Sequence, residues 1–358
     1  MQQKVIISAL DWGLGHATRM IPIVRYFIAN DWKIILASSG EAAALWQQQF
    51  PDLEFVELPA YDFEYSRKSM IANVISQLPK LKKAIGKEHE IINELVENHK
   101  PNLIVSDNRY GVYHADVHSV FITHQLQIIP PSSLSFTQDI LRKMHEMFIK
   151  KFDQVWVPDF DGKDNLSGKL SHGFNTDLDV KYIGPLSRFN ISKVKARTSK
   201  ELPNILVLIS GPEPSRSNFE KLIIQQLSNY DGESVLLRGK PSEGEIEPKG
   251  NIDIYNHLSD DKLTNIIEKS DLIIARSGYS TIMDLFYLKK QAIFVPTPGQ
   301  TEQEYLANRF MNSDTFLNMQ EKEFDLQKAI KEYGKYGGFN DIEEYDLSKI
   351  LSDTIETK

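Results

Sequence analysis

Not one cysteine occurs in the 358 residues of this chain. That excludes disulfides and thiolate metal sites and suits a reducing cytosol. A basic excess is missing too: 49 acidic residues outweigh 41 basic ones, for a formal charge of −8. That balance speaks against a nucleic-acid partner. No uninterrupted apolar run approaches the ~18 residues of a spanning helix. Met1 leads through a polar triplet into a strand, which does not read as a signal peptide. A cytoplasmic protein is therefore expected. What is present is ordinary, 41% hydrophobic, 25% charged and 10% aromatic, in a chain long enough for two cores.

Short β-branched runs recur with helical segments between them. Val5–Ala9, Lys33–Ala37, Glu54–Leu58, Asn102–Ser106, Ser119–Thr123 and Gln154–Val157 are nearly continuous apolar runs, the mark of parallel strands covered on both faces. Thr18–Ala29 is an amphipathic helix between the first two, which is βαβ grammar. The pattern restarts with strands at Asn204–Ile209, Ser234–Leu237, Ile252–Tyr255, Leu272–Ala275 and Gln291–Val295, and a helix at Asn218–Leu227. The stretch from Val180, polar and basic after Gly184-Pro185, reads as the connection between the halves. The expected class is α/β, with two Rossmann-like domains of parallel sheet facing across a cleft, where the carboxyl ends of open sheets bind ligands. The domains are taken as 1–184 and 203–340, with 185–202 as linker and a terminal helix at about 341–358.

The most specific stretch is Ser270–Asn308, SDLIIARSGYSTIMDLFYLKKQAIFVPTPGQTEQEYLAN. A strand ends at Arg276-Ser277-Gly278, and Ser280 or Thr281 can cap the helix that follows. A glycine turn opening a helix offers unpaired N–H groups and the positive dipole end to an anion. Asp284, taken to lie on the first turn of that helix, can reach a ribose hydroxyl pair. Beyond the next strand and its Pro-Thr-Pro-Gly turn, Glu302 and Gln303 form a carboxylate–amide pair that can read sugar hydroxyls. Together these are the parts of a nucleotide-diphosphate-sugar site.

The constellation resembles the donor signature of GT-B glycosyltransferases that use UDP-sugars. It is similar to family 28, whose bacterial members add N-acetylglucosamine to lipid-linked muramyl peptide. The resemblance assigns Arg276, Ser277, Gly278, Ser280, Thr281, Asp284, Glu302 and Gln303 to the donor, with Asp284 one methylene shorter than the usual Glu. LVLISGPEPSRSNFEKL resembles the family's loop after the first donor-domain strand, so Gly211 and Ser215 would approach the diphosphate. Pro212 and Pro214 remove two N–H donors there, for which Arg216 would compensate. IYNHLSDDKL stands where relatives hold the base edge, making His257 and Leu258 candidates. The resemblance also implies a terminal helix crossing back to the first domain. UDP-sugar would be a co-substrate, with no cofactor and no metal.

The first half would then hold a glycan, lipid-linked or small-molecule acceptor. ALDWGLGHATR breaks a strand at Gly13 and Gly15 and re-enters a helix at His16. A dinucleotide fingerprint wants a third glycine where Thr18 stands and an acid after the second strand, where ILASSG has only serines. The turn resembles instead the family's first glycine-rich loop, whose histidine faces the reacting sugar. Displacement at the anomeric carbon requires the acceptor hydroxyl to lose a proton, and a neutral imidazole at a helix start suits that task. Three roles are open to His16: general base, substrate-positioning donor, or a purely structural residue. Asp107 is placed to orient it or to cap the following turn. Leaving-group charge would be met by helix ends and Arg276. VFITHQLQIIPP resembles the acceptor-side run of the family, which puts His124 and Gln125 beside the acceptor, with Arg109 on the loop after Asp107.

Asp159–Asp161 and Asp177–Asp179 are acid-x-acid pairs, read as solvated loops rather than as ligands of a metal. Residues 67–87 carry Arg67, Lys68, Lys80, Lys82, Lys83 and Lys87 with no acid, interleaved with apolar residues. That suggests contact with an anionic membrane, which would make the protein peripheral on the inner face, or else a solvated basic helix face. The expected activity is inverting, metal-independent transfer of a hexose or N-acetylhexosamine from a UDP-sugar to a hydroxyl. The rivals are a nucleotide-sugar hydrolase or epimerase of the same fold, for which Arg19 completes a similar GxGH…R loop, and a nucleotide-sugar-binding protein without catalysis.

Overall fold

The computed structural model describes residues 2–61, 70–189, 202–211, 213–244, 246–339 and 345–356. The chain divides into two compact units. Unit 1 comprises Met1–Asp11, Arg19–Pro185 and Tyr345–Lys358, and unit 2 comprises Trp12–Thr18 and Leu186–Glu344. Most of the expected 185–202 linker, with the 341–344 part of the expected terminal helix, lies outside the described residues.

In chain order the first sheet's strands are β1 (Lys4–Ala9), β2 (Lys33–Ser38), β3 (Glu54–Glu57), β4 (Leu103–Asp107), β5 (His118–Ile122), β6 (Gln154–Val157) and β7 (Val180–Tyr182). The helices among them are α1 (Leu14–Ala29), α2 (Gly40–Gln49), α3 (Met70–His99) and α4 (Gln138–Ile149). The seven strands are parallel, in the order β3-β2-β1-β4-β5-β6-β7. Ile6, Ile7, Ile104, Val105, Val120 and Phe121 are wholly buried, because parallel strands are covered on both faces and their side chains are mostly apolar. Val180 pairs with Val155 of β6, so the stretch expected to connect the halves begins as an edge strand. Tyr345 packs against Gly184, whose φ of +78° and a would-be Cβ 2.6 Å from the tyrosine ring admit only glycine. The helix Leu347–Glu356 buries Leu351.

Unit 2 contains β8 (Ile205–Leu208), β9 (Ser234–Leu237), β10 (Ile252–Tyr255), β11 (Leu272–Ala275), β12 (Ala292–Phe294) and β13 (Leu317–Asn318). Its helices are α5 (Ser215–Leu227), α6 (Asp260–Lys269), α7 (Tyr279–Leu288), α8 (Thr301–Asn312) and α9 (Leu326–Glu332), and α10 (Leu347–Glu356) follows. The parallel order is β10-β9-β8-β11-β12-β13. Phe219, Ile223 and Leu227, one face of α5, pack on Val207, Leu236 and Ile274 of the sheet. Each such buried side chain contributes about 1.5–3 kcal/mol. In each sheet the strand order reverses once, between β1 and β4 and between β8 and β11, and that reversal opens a crevice at the strands' carboxyl ends.

Candidate active site

Three adjacent strands of unit 2 end in the same way. After β8 comes Gly211 (φ +107°), after β11 Gly278, and after β12 Gly299 (φ +82°), and nothing stands within 4 Å of a Cβ built on any of them. Each glycine precedes a helix, α5, α7 or α8; Glu213 Oε2 takes the Ser217 N–H in the first turn of α5 (3.2 Å), and the N-cap residues of α7 and α8 make no side-chain cap. The loops are tied together. Arg276 Nη2 donates to Ser215 O (3.3 Å), Ser277 Oγ to Gln303 O (2.8 Å), and Thr297 N to Gln303 Oε1 (2.8 Å). Open space in front of uncapped N–H groups, with the positive ends of helices converging on it, is an anion cradle. Ser280 and Thr281 are the second and third residues of α7, so their backbone N–H groups belong to that cradle. They do not cap the helix as the sequence suggested, because Gly278 occupies the N-cap.

Two expected donor ligands are engaged elsewhere. Arg276 is fully buried, donating to Val295 O (2.9 Å), Pro296 O (3.2 Å) and Glu321 Oε2 (2.6 Å), with its guanidinium 4.0 Å from the Phe219 ring centroid. It braces the cradle from behind. Arg216 is likewise buried, held by Glu213 Oε1 (2.8 Å) and Glu220 Oε2 (2.6 Å). Glu220 also accepts from Arg238, which reaches Glu243 and Asn256. Arg216 therefore anchors α5 instead of standing in for the proline-lost donors, and Pro212 lies outside the described residues. Glu321, 45 residues from Arg276, is set by folding, whereas Glu220 is the i+4 neighbour of Arg216 on α5.

Asp284 is the sixth residue of α7 and thus on its second turn. It accepts from Ser187 Oγ (2.6 Å). Burial pushes its carboxyl up to about 6, against the lowering pull of Arg188 and Ser187. Gln303 is committed to the loop backbone at Thr297 through Oε1, while Glu302 beside it opens α8 and is half-buried. His257, half-buried, and Leu258, buried, form the turn between β10 and α6.

In unit 1 the loop after β4 is the organising feature. Asn108 has φ +54°, a left-handed conformation that asparagine tolerates. The reversal sends Asp107 and Arg109 to separate partners. Asp107 accepts from Arg19 Nε and Nη2, both at 2.5 Å. Arg19 Nη1 lies 3.0 Å from His124 Nδ1. Asp107, expected to orient His16, thus forms a bidentate ion pair with Arg19. Arg109, expected to touch the acceptor, is fully buried. It donates to Ala9 O (2.8 Å), Glu88 Oε1 (2.7 Å) and Ser39 Oγ (2.5 Å). Tyr61 donates to Glu88 Oε2 (2.6 Å), and Gly111 N does so at 2.8 Å. Burial raises the Glu88 carboxyl, opposed by Arg109, Tyr61 and Gly111. Arg109 is structural, and Tyr61, Glu88 and Ser39 are network members that sequence reading missed because each lies far from the motif. Gln125, half-buried, donates its N–H to Thr123 Oγ1 (3.1 Å).

Gly13 (φ +83°) makes the turn into α1, and neither Gly13 nor Gly15 is fully buried. His16 is the third residue of α1 and half-buried. Asp159 is not a solvated residue. It is fully buried and accepts from the backbone of Phe160, Leu166 and Ser167, and from Ser167 Oγ and His172 Nε2 (3.1 Å), closing a turn. Asp161 and Asp177 are exposed, as expected. Among the described residues no group of three or more His, Cys, Asp or Glu side chains is placed to hold a metal ion. Residues 67–69 lie outside the described residues, as do the side chains of 70–78; Lys80 to Lys87 belong to α3.

Two parallel-sheet α/β units, each opening its crevice at a strand-order reversal, agree with solved structures that resemble this one. The glycosyltransferase of kitacinnamycin aligns with a TM-score of 0.60 at 14% identity, covering 99% of this chain and 94% of that one. Acinetobacter baumannii MurG aligns with a TM-score of 0.57 at 12% identity over the whole of both chains. The fold is GT-B and the protein is a glycosyltransferase. More narrowly, residues 216–336 match the glycosyltransferase family 28 C-terminal domain, which makes the chain family-28-like. An uncharacterized glycosyltransferase of Methanosarcina mazei is 24% identical over 329 residues, 84% of this chain and 81% of that one. The UDP-N-acetylglucosamine–N-acetylmuramyl-(pentapeptide) pyrophosphoryl-undecaprenol N-acetylglucosamine transferase of Finegoldia magna is 25% identical over 340 residues, 90% and 86% of the two chains.

Proposed function

We propose that this glycosyltransferase moves a hexose or N-acetylhexosamine from a UDP-sugar to a hydroxyl of a glycan, lipid-linked or small-molecule acceptor, with inversion and without a metal ion. The observation that carries the reading is the row of open glycines before three helices of unit 2, of which α7 and α8 have no side-chain cap, a seat for a diphosphate. Asp284 supplies the ribose contact, and Glu302 with Gln303 the sugar contacts. His16 takes the proton of the attacking hydroxyl, and helix N–H groups stabilise the departing diphosphate. Thermal unfolding with a panel of nucleotides and nucleotide-sugars tests the donor. UDP and one UDP-sugar are expected to raise the midpoint, with about 2.7 kcal/mol of stabilisation at a hundredfold excess over Kd. His16→Ala is expected to keep that shift while losing at least about a hundredfold in transfer. Stoichiometric release of free sugar without an acceptor would make the protein a hydrolase instead.

A lipid-bearing acceptor is supported by α4. Phe136, Ile140, Met144 and Met147 are 76, 60, 42 and 70% exposed, and their spacing places them on one helical face. Lys143, three residues from Ile140 and so on that face, is exposed, as are Lys150 and Lys151 just past the helix end. An apolar stripe with lysine beside it, in a chain of net charge −8, suits an anionic lipid surface. Among the described residues no helix is long and apolar enough to cross a membrane.

A further inference from the structure

The turn Trp12–Thr18, which carries Gly13, Gly15 and His16, belongs to unit 2. It lies against the loops that follow three strands of that unit. A Cβ built on Gly13 would stand 3.9 Å from Gly211 N, after β8. Leu14 Cδ1 is 3.8 Å from the position of a Cβ built on Gly239, after β9. The third contact is a hydrogen bond. Ser280 Oγ, on the second residue of α7, donates to Gly15 O at 2.8 Å. A Cβ on Gly15 would stand 3.0 Å from that Oγ and 3.4 Å from Ser280 Cβ. Gly15 has no left-handed φ, so what calls for glycine is the close approach to Ser280 and not the backbone conformation.

Sequence reading puts Ser280 among the donor ligands. A hydroxyl has one hydrogen to give, and this one goes to Gly15 O, which also accepts from Thr18 Oγ1 at 3.1 Å. Toward a phosphate oxygen Ser280 then offers its backbone N–H and no hydroxyl proton. We propose that Ser280 is a positioning residue, whose hydroxyl clasps Gly15 and so holds His16 at a set distance from the diphosphate seat. The inference rests on the reading of His16 as the base. His16 follows Gly15 across one rigid peptide unit, so what fixes the Gly15 carbonyl also fixes the backbone that carries the imidazole. The other end of the clasp is α7, whose first N–H groups face the diphosphate. The group that takes the proton and the groups that meet the leaving charge are thus referred to one helix, as an aligned attack requires.

Ser280→Ala removes the hydroxyl and keeps the backbone N–H. Hydrogen exchange of the ligand-free full chain reads the clasp directly. Amides at 17–20, in the first turns of α1, should exchange about three- to tenfold faster in the variant, the scale of one lost hydrogen bond. Unchanged exchange there would overturn the proposal. In transfer assays kcat should fall about ten- to a hundredfold, the scale of a misplaced group, while KM for the UDP-sugar and the thermal shift with UDP stay as in the wild type. A loss confined to that KM or that shift would make the hydroxyl a donor ligand and refute the positioning role. The decisive comparison is in the His16→Ala background. There Ser280→Ala should cost nothing more, and a further loss of the same factor would show that Ser280 acts apart from His16. If His16→Ala itself transfers at the wild-type rate, the reading of His16 as base fails, while the exchange experiment still decides whether Ser280 holds the turn.

Discussion

Asp284 and His145 titrate away from their usual ranges in ways that tilt stability in opposite directions over the same interval of pH. Burial lifts Asp284 to about 6, so the native state holds that proton more tightly than the unfolded chain. Stability from this group is greatest below about pH 4 and falls as pH rises to about 6. Burial lowers His145 to about 4, where it lies edge-on to the rings of Tyr110 and Phe121 with Nδ1 unpartnered. Its contribution is intact above about pH 6.5 and lost as pH falls towards 4. Each group changes the slope by up to about 1.4 kcal/mol per pH unit. Urea unfolding between pH 4 and 7 should show Asp284→Asn, which still accepts from Ser187, losing more stability on acidification than wild type. His145→Leu should lose less. Arg109 gives a separate expectation. Arg109→Ala strands the buried Glu88 and should lower the unfolding free energy by about 3–5 kcal/mol, whereas replacing both residues by apolar ones recovers most of that loss.

At the scale of elements, the sequence announced every central strand and, at the edges, β3 and β10. β1, β4, β8 and β11 are buried on both faces, so burial writes itself into composition as continuous Val, Ile and Leu. β7 and β13 were not legible. Each is two or three residues long at a sheet edge, and such a segment becomes a strand only because a partner is already in place. Helix α4 was missed for the opposite reason. Its apolar residues have helical spacing, but Ile140, Met144 and Met147 face outward, and no sequence pattern separates a stripe packed on a core from one turned to solvent. Vesicle flotation decides its purpose. Anionic vesicles should bind the protein and neutral ones should not, and Ile140→Glu with Met147→Glu should abolish binding while transfer to a water-soluble acceptor persists. Binding that survives in the variant would remove α4 from the account.

For the molecule as a whole, the division of labour between the units predicts where a ligand leaves its mark. Hydrogen exchange with UDP present should slow in the segments Gly211–Ser215, Gly278–Thr281 and Gly299–Gln303 of unit 2, and the loop Asp107–Val112 of unit 1 should exchange as in the free protein. Protection of that loop by UDP alone would contradict the assignment. By itself the sequence determined the α/β class, the restart of the βαβ pattern, and the glycines that mark where strands give way to helices. These are local properties: strand burial, turn geometry and helix starts are encoded within a few residues. Only the tertiary structure decided which of the flagged charges are available. Arg276, Arg216, Arg109 and Asp107 all stand in or beside motifs, yet Arg276, Arg109 and Asp107 are paired with Glu321, Glu88 and Arg19 from other elements, and Arg216 with Glu220 one turn along its own helix. A buried charge must find its counterion somewhere, and for Arg276, Arg109 and Asp107 that partner is distant in sequence, because folding selects it.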